Sequence, residues 1–392
     1  MTRISQKAAQ FSESVIREMT RLANRYEAIN LAQGFPNFPA PAFIKDAACR
    51  AIQQDINQYA ITWGAPSLRH AISSLYQRLY RIEVDPEREI TVCCGATEAM
   101  IASVMATVNP GEQVLVFEPF YENYGPDIIL AGARPVYFPL SPENGWEFSI
   151  DDLEAVIFDA EKQGGLKALI LNTPNNPTGR VFSEEELSAL AALSQRYDFL
   201  VITDEIYEHI VYDNHRHRPI ASLPGMRSRT ITISGLSKTF SVTGWRLGYA
   251  ISVPEIAGAI RKVHDFLTVG AAAPLQQAAA EAILNADDYF ESLAEDYRER
   301  RDLMFQILEE AGFRVWKPAG AYYMMADIRD VTSKNDRDFV EELVRDYGVA
   351  TVPGTSFYRS TEKGQHLIRF AFCKTLDVLE EAGKRLRRLN RS

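Results

Sequence analysis

One lysine of the sequence lies in surroundings that suit a reactive amine. Lys238 follows an apolar stretch at 230–233, stands among small and hydroxyl-bearing residues, and has an arginine, Arg246, eight residues further on. A lysine on a solvated surface rarely has such neighbours. Burial beside positive charge lowers the pKa of a lysine, and the neutral amine that results is a nucleophile and a base. Lys238 is therefore a candidate catalytic residue.

Two charged residues stand where apolar strands are expected. Asp204 follows the apolar stretch 199–203, and Arg369 lies inside the apolar stretch 367–372. A charge in such a place is costly unless it meets an opposite charge. For Asp204 the alternative is an ordinary surface salt bridge. Arg369 needs an acidic partner, which either the protein or a ligand can supply.

Three segments at other strand ends give weaker signals. Gly95-Ala96-Thr97 open a helix whose first N–H groups can bind an anion, although many such turns hold glycine only to turn. Tyr121 could stack on a planar ring, but aromatic residues in this position more often fill a core or a lid. The loop 172–179 holds two prolines and three asparagines, which excludes regular structure and fixes amide side chains at a strand end.

These residues are positioned by the elements that precede them. Apolar stretches alternate with helical ones from about residue 41, and a capping box of Ser183 and Glu186 opens a helix expected at 183–197. Continuous apolar strands alternating with helices predict an α/β fold with a mostly parallel central sheet and helices on both faces. The carboxyl ends of such strands gather ligands. The strands are predicted at residues 90–94, 113–117, 167–171, 199–203, 230–233 and 247–252.

The pattern changes after about residue 285. A charged amphipathic helix covers 291–301, and short strands at 321–326, 348–351 and 366–371 follow with two more helices, which is typical of an α+β segment. We expect an N-terminal arm at 1–40 that contributes to a small domain, a large domain at 41–285, and a small C-terminal domain at 286–392. A length of 392 residues suits this division.

Composition excludes several classes of protein. Apolar residues make up 46% of the chain and charged residues 24%, as in ordinary globular proteins, and the net charge of −10 leaves no general footprint for nucleic acid. No run of about 18 apolar residues predicts a membrane span, and the first residues lack the apolar core of a signal peptide. The four cysteines show no metal-ligand spacing. Buried free thiols, a cytoplasmic location and no metal site are therefore expected.

Taken in order, these residues resemble the fold type I pyridoxal-phosphate enzymes, and within them the class I/II aminotransferases. The resemblance runs from Gly34 to Arg369 and is closest to the branch that holds kynurenine, glutamine and methionine aminotransferases. Its most specific motifs are Asn-Pro-Thr-Gly at 176–179, Asp-Glu-Ile-Tyr at 204–207, and Ser-Lys-Thr-Phe at 237–240 followed by Gly-Trp-Arg. It implies pyridoxal 5′-phosphate as cofactor, and a ping-pong transfer of an amino group from an L-amino acid to a 2-oxo acid through the pyridoxamine form.

The resemblance also implies a role for each site residue. Lys238 forms a Schiff base with the cofactor and moves a proton between substrate and cofactor, while Asp204 keeps the ring nitrogen protonated. Asn176 and Tyr207 hydrogen-bond the ring oxygen, and Tyr121 stacks on the ring. Phosphate binding falls to Gly95, Ala96, Thr97, Ser237, Arg246 and, from the second subunit of a homodimer, Tyr59. The residues implied to bind the substrate carboxylate are Arg369, Asn172, Asn176 and Gly34.

The sequence departs from the family pattern at three places. Gly235 stands where many relatives carry a phosphate-binding serine, whose role could pass to Ser234 or Ser237. Thr97 stands where bacterial relatives specialised for aspartate have a lysine, which argues against a dedicated aspartate enzyme. Three alanines at 271–273 replace an aromatic–histidine pair of the kynurenine-type enzymes, so the identity of the substrate stays open.

Two alternatives use the same fold. A carbon–sulfur β-lyase would need the same lysine, aspartate and arginine but would expel a β-substituent, and the sequence discriminates poorly between this reaction and transamination. A regulator with a fused DNA-binding domain is disfavoured, because only about 30 residues precede Gly34 and the net charge is negative.

Overall fold

The computed structural model describes residues 4–389, in which helices and strands alternate along most of the chain. The strands are β1 (Ile29–Asn30), β2 (Ile90–Cys93), β3 (Gln113–Glu118), β4 (Arg134–Pro139), β5 (Leu166–Asn172), β6 (Leu200–Asp204), β7 (Thr230–Gly235), β8 (Gly248–Ile251), β9 (Arg314–Val315), β10 (Tyr323–Asp327), β11 (Val349–Ala350), β12 (Val352–Pro353) and β13 (Leu367–Ala371). The helices are α1 (Val15–Arg25), α2 (Ala42–Gln53), α3 (Pro66–Tyr80), α4 (Ala96–Thr107), α5 (Tyr124–Leu130), α6 (Ile150–Lys162), α7 (Glu184–Tyr197), α8 (Pro254–Leu267), α9 (Ala273–Leu284), α10 (Asp287–Glu310), α11 (Asp336–Glu342), α12 (Thr361–Gly364) and α13 (Leu376–Leu386).

A seven-stranded sheet forms the centre of the molecule. Its strand order is β2-β8-β7-β6-β5-β3-β4. β8 is antiparallel to both of its neighbours, and the other neighbouring strands are parallel to each other. Helices are joined to these strands along the chain, as in α/β proteins. The predicted α/β fold with a mostly parallel central sheet is confirmed.

The register of this sheet aligns the strand ends that carry polar residues. Asn172 at the end of β5 is opposite Asp204 at the end of β6, and Asp204 is opposite Ile233 of β7. Gly248 at the start of β8 is paired with Gly235 on one side and Cys93 on the other. Because these pairs lie side by side, the residues that follow the strands converge at one edge of the sheet.

All six predicted strands of the central sheet are present, with bounds shifted by one or two residues. The edge strand β4 (Arg134–Pro139) was not predicted. Its side chains are mostly exposed or half-buried, and it holds a proline at its second and last positions. Proline is tolerated at a sheet edge but argues against a strand in sequence, which explains the omission.

A second sheet lies in the C-terminal part, with strand order β12-β13-β10-β9. The strand predicted at 348–351 is present only as Val349–Ala350, and a second short strand follows just beyond the predicted range. Val349–Ala350 pairs in parallel with β1, while Val352–Pro353 pairs antiparallel to β13, so the chain changes partner at Thr351. Through β1 and β11 the N-terminal segment is hydrogen-bonded to the C-terminal part.

The start of α7 and the cysteines were both assigned from the sequence. The capping box at the start of α7 is confirmed, since the Ser183 and Glu186 side chains each bond the other's backbone N–H. The four cysteines are free, but the expectation that they are buried is wrong for Cys49, which is exposed on α2, and Cys94 is only partly buried. Among residues 4–389, no helix is both long enough and apolar enough to cross a membrane.

Candidate active site

A cavity of about 340 Å³ opens at the aligned strand ends. Its walls come from segments far apart in the chain, which meet only because the sheet register brings the strand ends together. Most of the residues singled out in the sequence contribute to it. They are Gly34, Ala96, Thr97, Tyr121, Asn172, Asn176, Asp204, Tyr207, Ser237, Lys238 and Arg246.

Lys238 projects into this cavity from the turn after β7. Its Nζ donates a hydrogen bond to the Gly34 carbonyl at 3.2 Å and lies 5.6 Å from the centre of the Tyr322 ring. Burial lowers the pKa of Lys238 to about 8, and the positive charge of Arg246 acts in the same direction. A substantial fraction of the amine is therefore neutral near physiological pH.

Asp204 ends β6 at the floor of the cavity and is almost fully buried. One carboxylate oxygen accepts a hydrogen bond from the Tyr124 hydroxyl at 2.8 Å, and the other accepts one from the Ile206 N–H at 3.2 Å. Burial raises the pKa of Asp204, while these two bonds and the charge of Lys238 oppose the rise. The surface salt bridge considered as an alternative is excluded by this burial.

A chain of amide contacts connects Asp204 to the C-terminal part. Asn172 Nδ2 donates to the Asp204 carbonyl at 2.9 Å, and Asn172 Oδ1 accepts from the Asn176 N–H at 2.7 Å. Asn176 Oδ1 in turn accepts from Arg369 Nη1 at 2.7 Å. Each end of the Asn172 amide thus makes one hydrogen bond within the protein, and this residue positions Asn176 while it also lines the cavity.

Arg369 is fully buried in β13, and none of the described carboxylates forms an ion pair with it. Its guanidinium donates to Asn176 and to the Ala32 carbonyl at 2.6 Å, lies 4.1 Å from the centre of the Tyr323 ring, and leaves Nε without a partner. A buried cation in this state calls for a carboxylate from outside the protein.

The N-terminus of α4 faces a second cation at the opposite end of the cavity. Gly95 precedes α4 with φ of 88°, and a Cβ at this residue would lie 2.4 Å from Arg246 Nη2. Arg246 is exposed to the cavity, and no ion pair is formed with it in residues 4–389. Free N–H groups of a helix start together with an arginine suit a phosphate.

The structure distinguishes the two serines that could compensate for Gly235. Ser237 lines the cavity. Ser234 points away from it and donates to Glu208 Oε1 at 2.5 Å. A Cβ on Gly235 itself would lie 2.7 Å from the Leu247 carbonyl oxygen, so a side chain there requires the neighbouring strand to shift. Of the two, only Ser237 is placed to contact a bound group.

Two tyrosines cover the cavity beside Lys238. The Tyr207 hydroxyl donates to the Tyr323 hydroxyl at 3.1 Å, and burial raises the pKa of both, so that they are neutral donors. Tyr323 also lies against Gly34, where a Cβ would be 1.9 Å from its hydroxyl oxygen. Gly34 is therefore required for this close approach.

Three predicted site residues do not line the cavity. Gly95 lies against Arg246 and Arg369 bonds Asn176, and both of these partners line it, while the third residue is Tyr59. It is 89% exposed and does not contribute to the cavity walls. Tyr59 is three residues before Thr62, whose carbonyl bonds His264 Nε2 on α8 at 2.8 Å, and Phe266, two residues after His264, is 92% exposed.

Sequence reasoning missed several residues of the site. Tyr124, Asp127 and Tyr323 line the cavity, and Arg17 of α1 stands at its rim. A signal for two of them was available: Tyr121, Tyr124 and Asp127 follow one another at intervals of three residues, which places them on one side of a helical segment. Tyr323 and Arg17 come from segments whose approach to the cavity depends on tertiary packing.

Two other features are separate from this site. A larger, more open cleft of about 1030 Å³ lies between the end of α3 and residues 214–219, and none of the predicted site residues lines it. The structure also holds two groups of potential metal ligands. One consists of Cys93, Glu98 and His264, and the other of Glu205, Glu208 and His217. In each, the histidine bonds a glutamate at 2.7 Å, which satisfies the carboxylate without an ion.

Comparison with known proteins agrees with this geometry. Residues 26–386 match the family model described as aminotransferase class I and II. The chain belongs to this family. It is 39% identical over 385 residues to a protein of Mycobacterium tuberculosis named as a probable N-succinyldiaminopimelate aminotransferase, with 96% of each chain covered. It is 35% identical to human kynurenine–oxoglutarate transaminase 1, with 95% of this chain and 94% of the relative covered.

Solved structures of the family have the same fold. The N-succinyldiaminopimelate aminotransferase from Mycobacterium tuberculosis superposes with a TM-score of 0.95 over 98% of this chain and 100% of that one, at 39% identity. The resemblance found in the sequence is therefore confirmed, including the branch with kynurenine and methionine aminotransferases. As a class I/II aminotransferase, the protein transfers amino groups between amino acids and 2-oxo acids and depends on pyridoxal phosphate.

The donor set of the cavity fits this cofactor. A helix start with Arg246 suits its phosphate, the buried carboxylate of Asp204 suits a ring nitrogen that carries a proton, and Lys238 offers a partly neutral amine. Arg369, with its unpartnered Nε, is left for the carboxylate of the substrate.

Proposed function

We propose that the protein moves an amino group from an L-amino acid to a 2-oxo acid in two half-reactions, with the cofactor attached to Lys238 as a Schiff base in the resting enzyme. The observation that carries this proposal is the position of the Lys238 amine, which lies in the same cavity as Asp204 and Arg246 and bonds the Gly34 carbonyl. Desolvation there lowers the pKa of Lys238 to about 8. A lysine that is partly neutral can attach to an aldehyde and can afterwards accept a proton.

Asp204 holds the proton at the ring nitrogen. Pyridoxal phosphate, when bound, supplies a ring that delocalises negative charge from the substrate Cα. Asp204 favours the protonated ring because its carboxylate is buried and fixed by Tyr124 and Ile206. Asn176, Tyr207 and Tyr121 line the same cavity. With the cofactor bound, Asn176 and Tyr207 would hold its ring oxygen and Tyr121 would cover the ring face.

The phosphate is held at the other end of the cavity. The N–H groups that follow Gly95 and the guanidinium of Arg246 provide its main contacts, and Ser237 adds a hydroxyl. The complete set proposed for the phosphate is Gly95, Ala96, Thr97, Ser237, Arg246 and the partner's Tyr59.

Arg369 binds the α-carboxylate of the substrate in a bidentate pair. Asn176 is already bonded to Arg369 and shares this task, and the backbone of Gly34 faces the same space. Asn172 contributes by holding Asn176 in place. With the substrate fixed in this way, Lys238 would be the group that accepts the proton from the substrate Cα, because its amine is partly neutral and lies in the same cavity.

We also propose a homodimer that shares its active sites between subunits. The support is the apolar surface that Tyr59, Ile61, Phe266, Leu267 and Val269 expose around the His264–Thr62 contact. An exposed apolar surface of this kind is typical of a subunit interface. The same histidine bonds Glu98 on α4, so this surface is directly connected to the phosphate end of the cavity.

The proposal also covers the domain organisation of the chain and its location in the cell. The pairing of β1 with β11 supports an arm at 1–40 that belongs with a small domain at 286–392, beside a large domain at 41–285.

The four free thiols support a reducing compartment, for which we propose the cytoplasm.

A single half-reaction tests the proposed chemistry. The holoenzyme is mixed with one amino acid at a time and no acceptor, and the products are counted per active site. Transamination yields one equivalent of 2-oxo acid, no free ammonia, and full recovery of the starting enzyme after 2-oxoglutarate or pyruvate is added. Continuous release of pyruvate and ammonia from a β-substituted donor would contradict the proposal and indicate a β-lyase. The same series of donors defines the substrate.

A further inference from the structure

Asp127 is a buried acid of the cavity that the reaction described above does not use. It lies in α5 one turn after Tyr124, is 5% exposed, and contributes to the cavity wall. Its Oδ2 atom is buried and has no hydrogen-bond partner. Unpartnered buried carboxylate oxygens are rare in native proteins, so this one requires an explanation.

The neighbours of Asp127 are mostly neutral or negative. Tyr121 and Tyr124 precede it on the same side of α5, and Tyr124 donates to Asp204, which faces the helix from β6. The cations of the cavity are Arg17, Lys238 and Arg246, and within residues 4–389 none of them forms an ion pair with Asp127. Burial raises the pKa of Asp127 to about 8, and the negative charge of Asp204 contributes to the rise.

A purely structural role does not account for this residue. An ionised carboxyl group without a partner destabilises the folded chain, and a neutral carboxyl group offers no packing that an asparagine or leucine could not provide. Acids whose protonation is shifted by burial and by a second carboxylate are typical of catalytic sites. The position beside Asp204 therefore indicates a task connected with that residue.

We propose that Asp127 is a positioning residue for the cofactor ring: its unpartnered carboxyl group lines the cavity one helical turn from Tyr124, which bonds Asp204, and acts as a second acid toward the ring that Asp204 would hold. This inference rests on the proposed placement of the ring nitrogen against Asp204. When Asp127 loses its proton in more alkaline solution, a second negative charge reaches the ring and helps it to retain its own proton. Asp127 and Asp204 thus act as a coupled pair.

The first test follows the stability of the full-length, cofactor-free protein. An aspartate in the unfolded chain ionises near its usual pKa of 3.8, whereas Asp127 in the folded chain ionises at about 8. The folded state therefore loses stability as pH rises between these values. The melting temperature of Asp127→Asn minus that of wild type should increase from about pH 4 to pH 8 and then level off. The control Asp46→Asn, at an exposed position of α2, should show no such trend.

The second test measures cofactor binding and the visible spectrum of the holoenzyme against pH. Asp127→Asn should match wild type at pH 6, where residue 127 is neutral in both proteins. Above pH 8 it should bind pyridoxal phosphate several-fold more weakly than wild type, because the second negative charge is missing. Asp127→Leu should behave in the same way as Asp127→Asn.

The outcomes separate this inference from the proposed function. A difference in melting temperature that does not change with pH, or a ratio of cofactor affinities that is the same at pH 6 and pH 9, would overturn the role of Asp127 while leaving Lys238 and Asp204 unaffected. If Asp204→Asn left the spectrum and cofactor affinity unchanged, the ring would not lie against Asp204, and both proposals would fail.

Discussion

Two of the buried arginines differ in what surrounds them. Arg301 forms ion pairs with Asp213 at 2.7 Å and Asp302 at 2.9 Å, whereas Arg369 meets only neutral groups. We expect Arg369→Lys to raise the KM for the amino donor about ten- to hundredfold, because charged hydrogen bonds worth about 1.5–3 kcal/mol lose their bidentate geometry. Steady-state kinetics with a fixed acceptor measure this effect.

The matched control is Arg301→Lys. Because Arg301 is equally buried but already paired within the protein, this variant should lower the melting temperature and leave the KM for the donor near its wild-type value. An unchanged KM in Arg369→Lys would show that Arg369 does not bind the substrate carboxylate.

Lys238 carries a prediction about pH. The neutral amine is the form that reacts with an aldehyde. Because the pKa of Lys238 is lowered from the usual 10.5 to about 8, the neutral amine forms at a much lower pH than in an ordinary lysine. The rate at which cofactor-free protein captures pyridoxal should rise with pH and level off a little above pH 8. Visible absorbance follows the reaction, and Lys238→Ala is the blank. A rate that still rises steeply between pH 9 and pH 10 would contradict the lowered pKa.

The residues of the site were largely predictable because their types conflict with their local context. A lysine among small residues, an acid after an apolar strand and an arginine within one all require compensation, and Lys238, Asp204 and Arg369 were found in this way. Asp127 was not predicted. Its three-residue spacing from Tyr121 and Tyr124 places it on their side of the helix, but an acid in a short helical segment is ordinary in sequence and does not indicate burial. Its burial depends on how α5 packs against α4 and β4, which the local pattern does not contain.

At the scale of elements, the start of β8 presses against the helix that is proposed to hold the phosphate. A Cβ on Gly248 would lie 2.2 Å from the Ala96 nitrogen and 2.4 Å from the Gly95 carbonyl carbon. Gly248→Ala must therefore displace the start of α4, and we expect cofactor affinity to fall at least tenfold, which corresponds to about 1.4 kcal/mol. Equilibrium dialysis or spectral titration with pyridoxal phosphate measures the change.

Gly258 in α8 provides the control for this substitution. A Cβ added at this residue would meet open space, and alanine is favoured over glycine in a helix. Gly258→Ala should keep the wild-type cofactor affinity and raise the melting temperature slightly. Equal affinity in Gly248→Ala and wild type would mean that the helix start does not contact the phosphate.

The elements themselves were predicted where their patterns are regular. The buried strands of the central sheet, such as β5 and β6, have continuous apolar sequences, and α7 is marked by its capping box. The pattern fails where an element depends on its neighbours. β4 is an edge strand with two prolines, and the short strands β11 and β12 exist only through pairing with β1 and β13.

At the scale of the whole molecule, the proposed dimer predicts the effect of a charge on its apolar surface. Phe266 is 92% exposed at the end of α8, next to the segment that carries Tyr59. Phe266→Asp should shift the protein from dimer to monomer in analytical ultracentrifugation and weaken cofactor binding, because the partner's tyrosine is lost from each site. Phe158→Asp, on α6 with 53% exposure, is the control and should remain dimeric. A monomeric wild-type protein would refute the shared site.

The central claim is that Lys238 is the residue that carries the cofactor, and borohydride reduction of the resting holoenzyme tests it most directly. Reduction makes the link between lysine and cofactor permanent, and digestion with mass spectrometry then locates it. The account predicts one labelled position, the peptide that contains Ser237-Lys238-Thr239, and no label in Lys238→Ala. A label on another lysine, or an equal yield of label in Lys238→Ala, would contradict it.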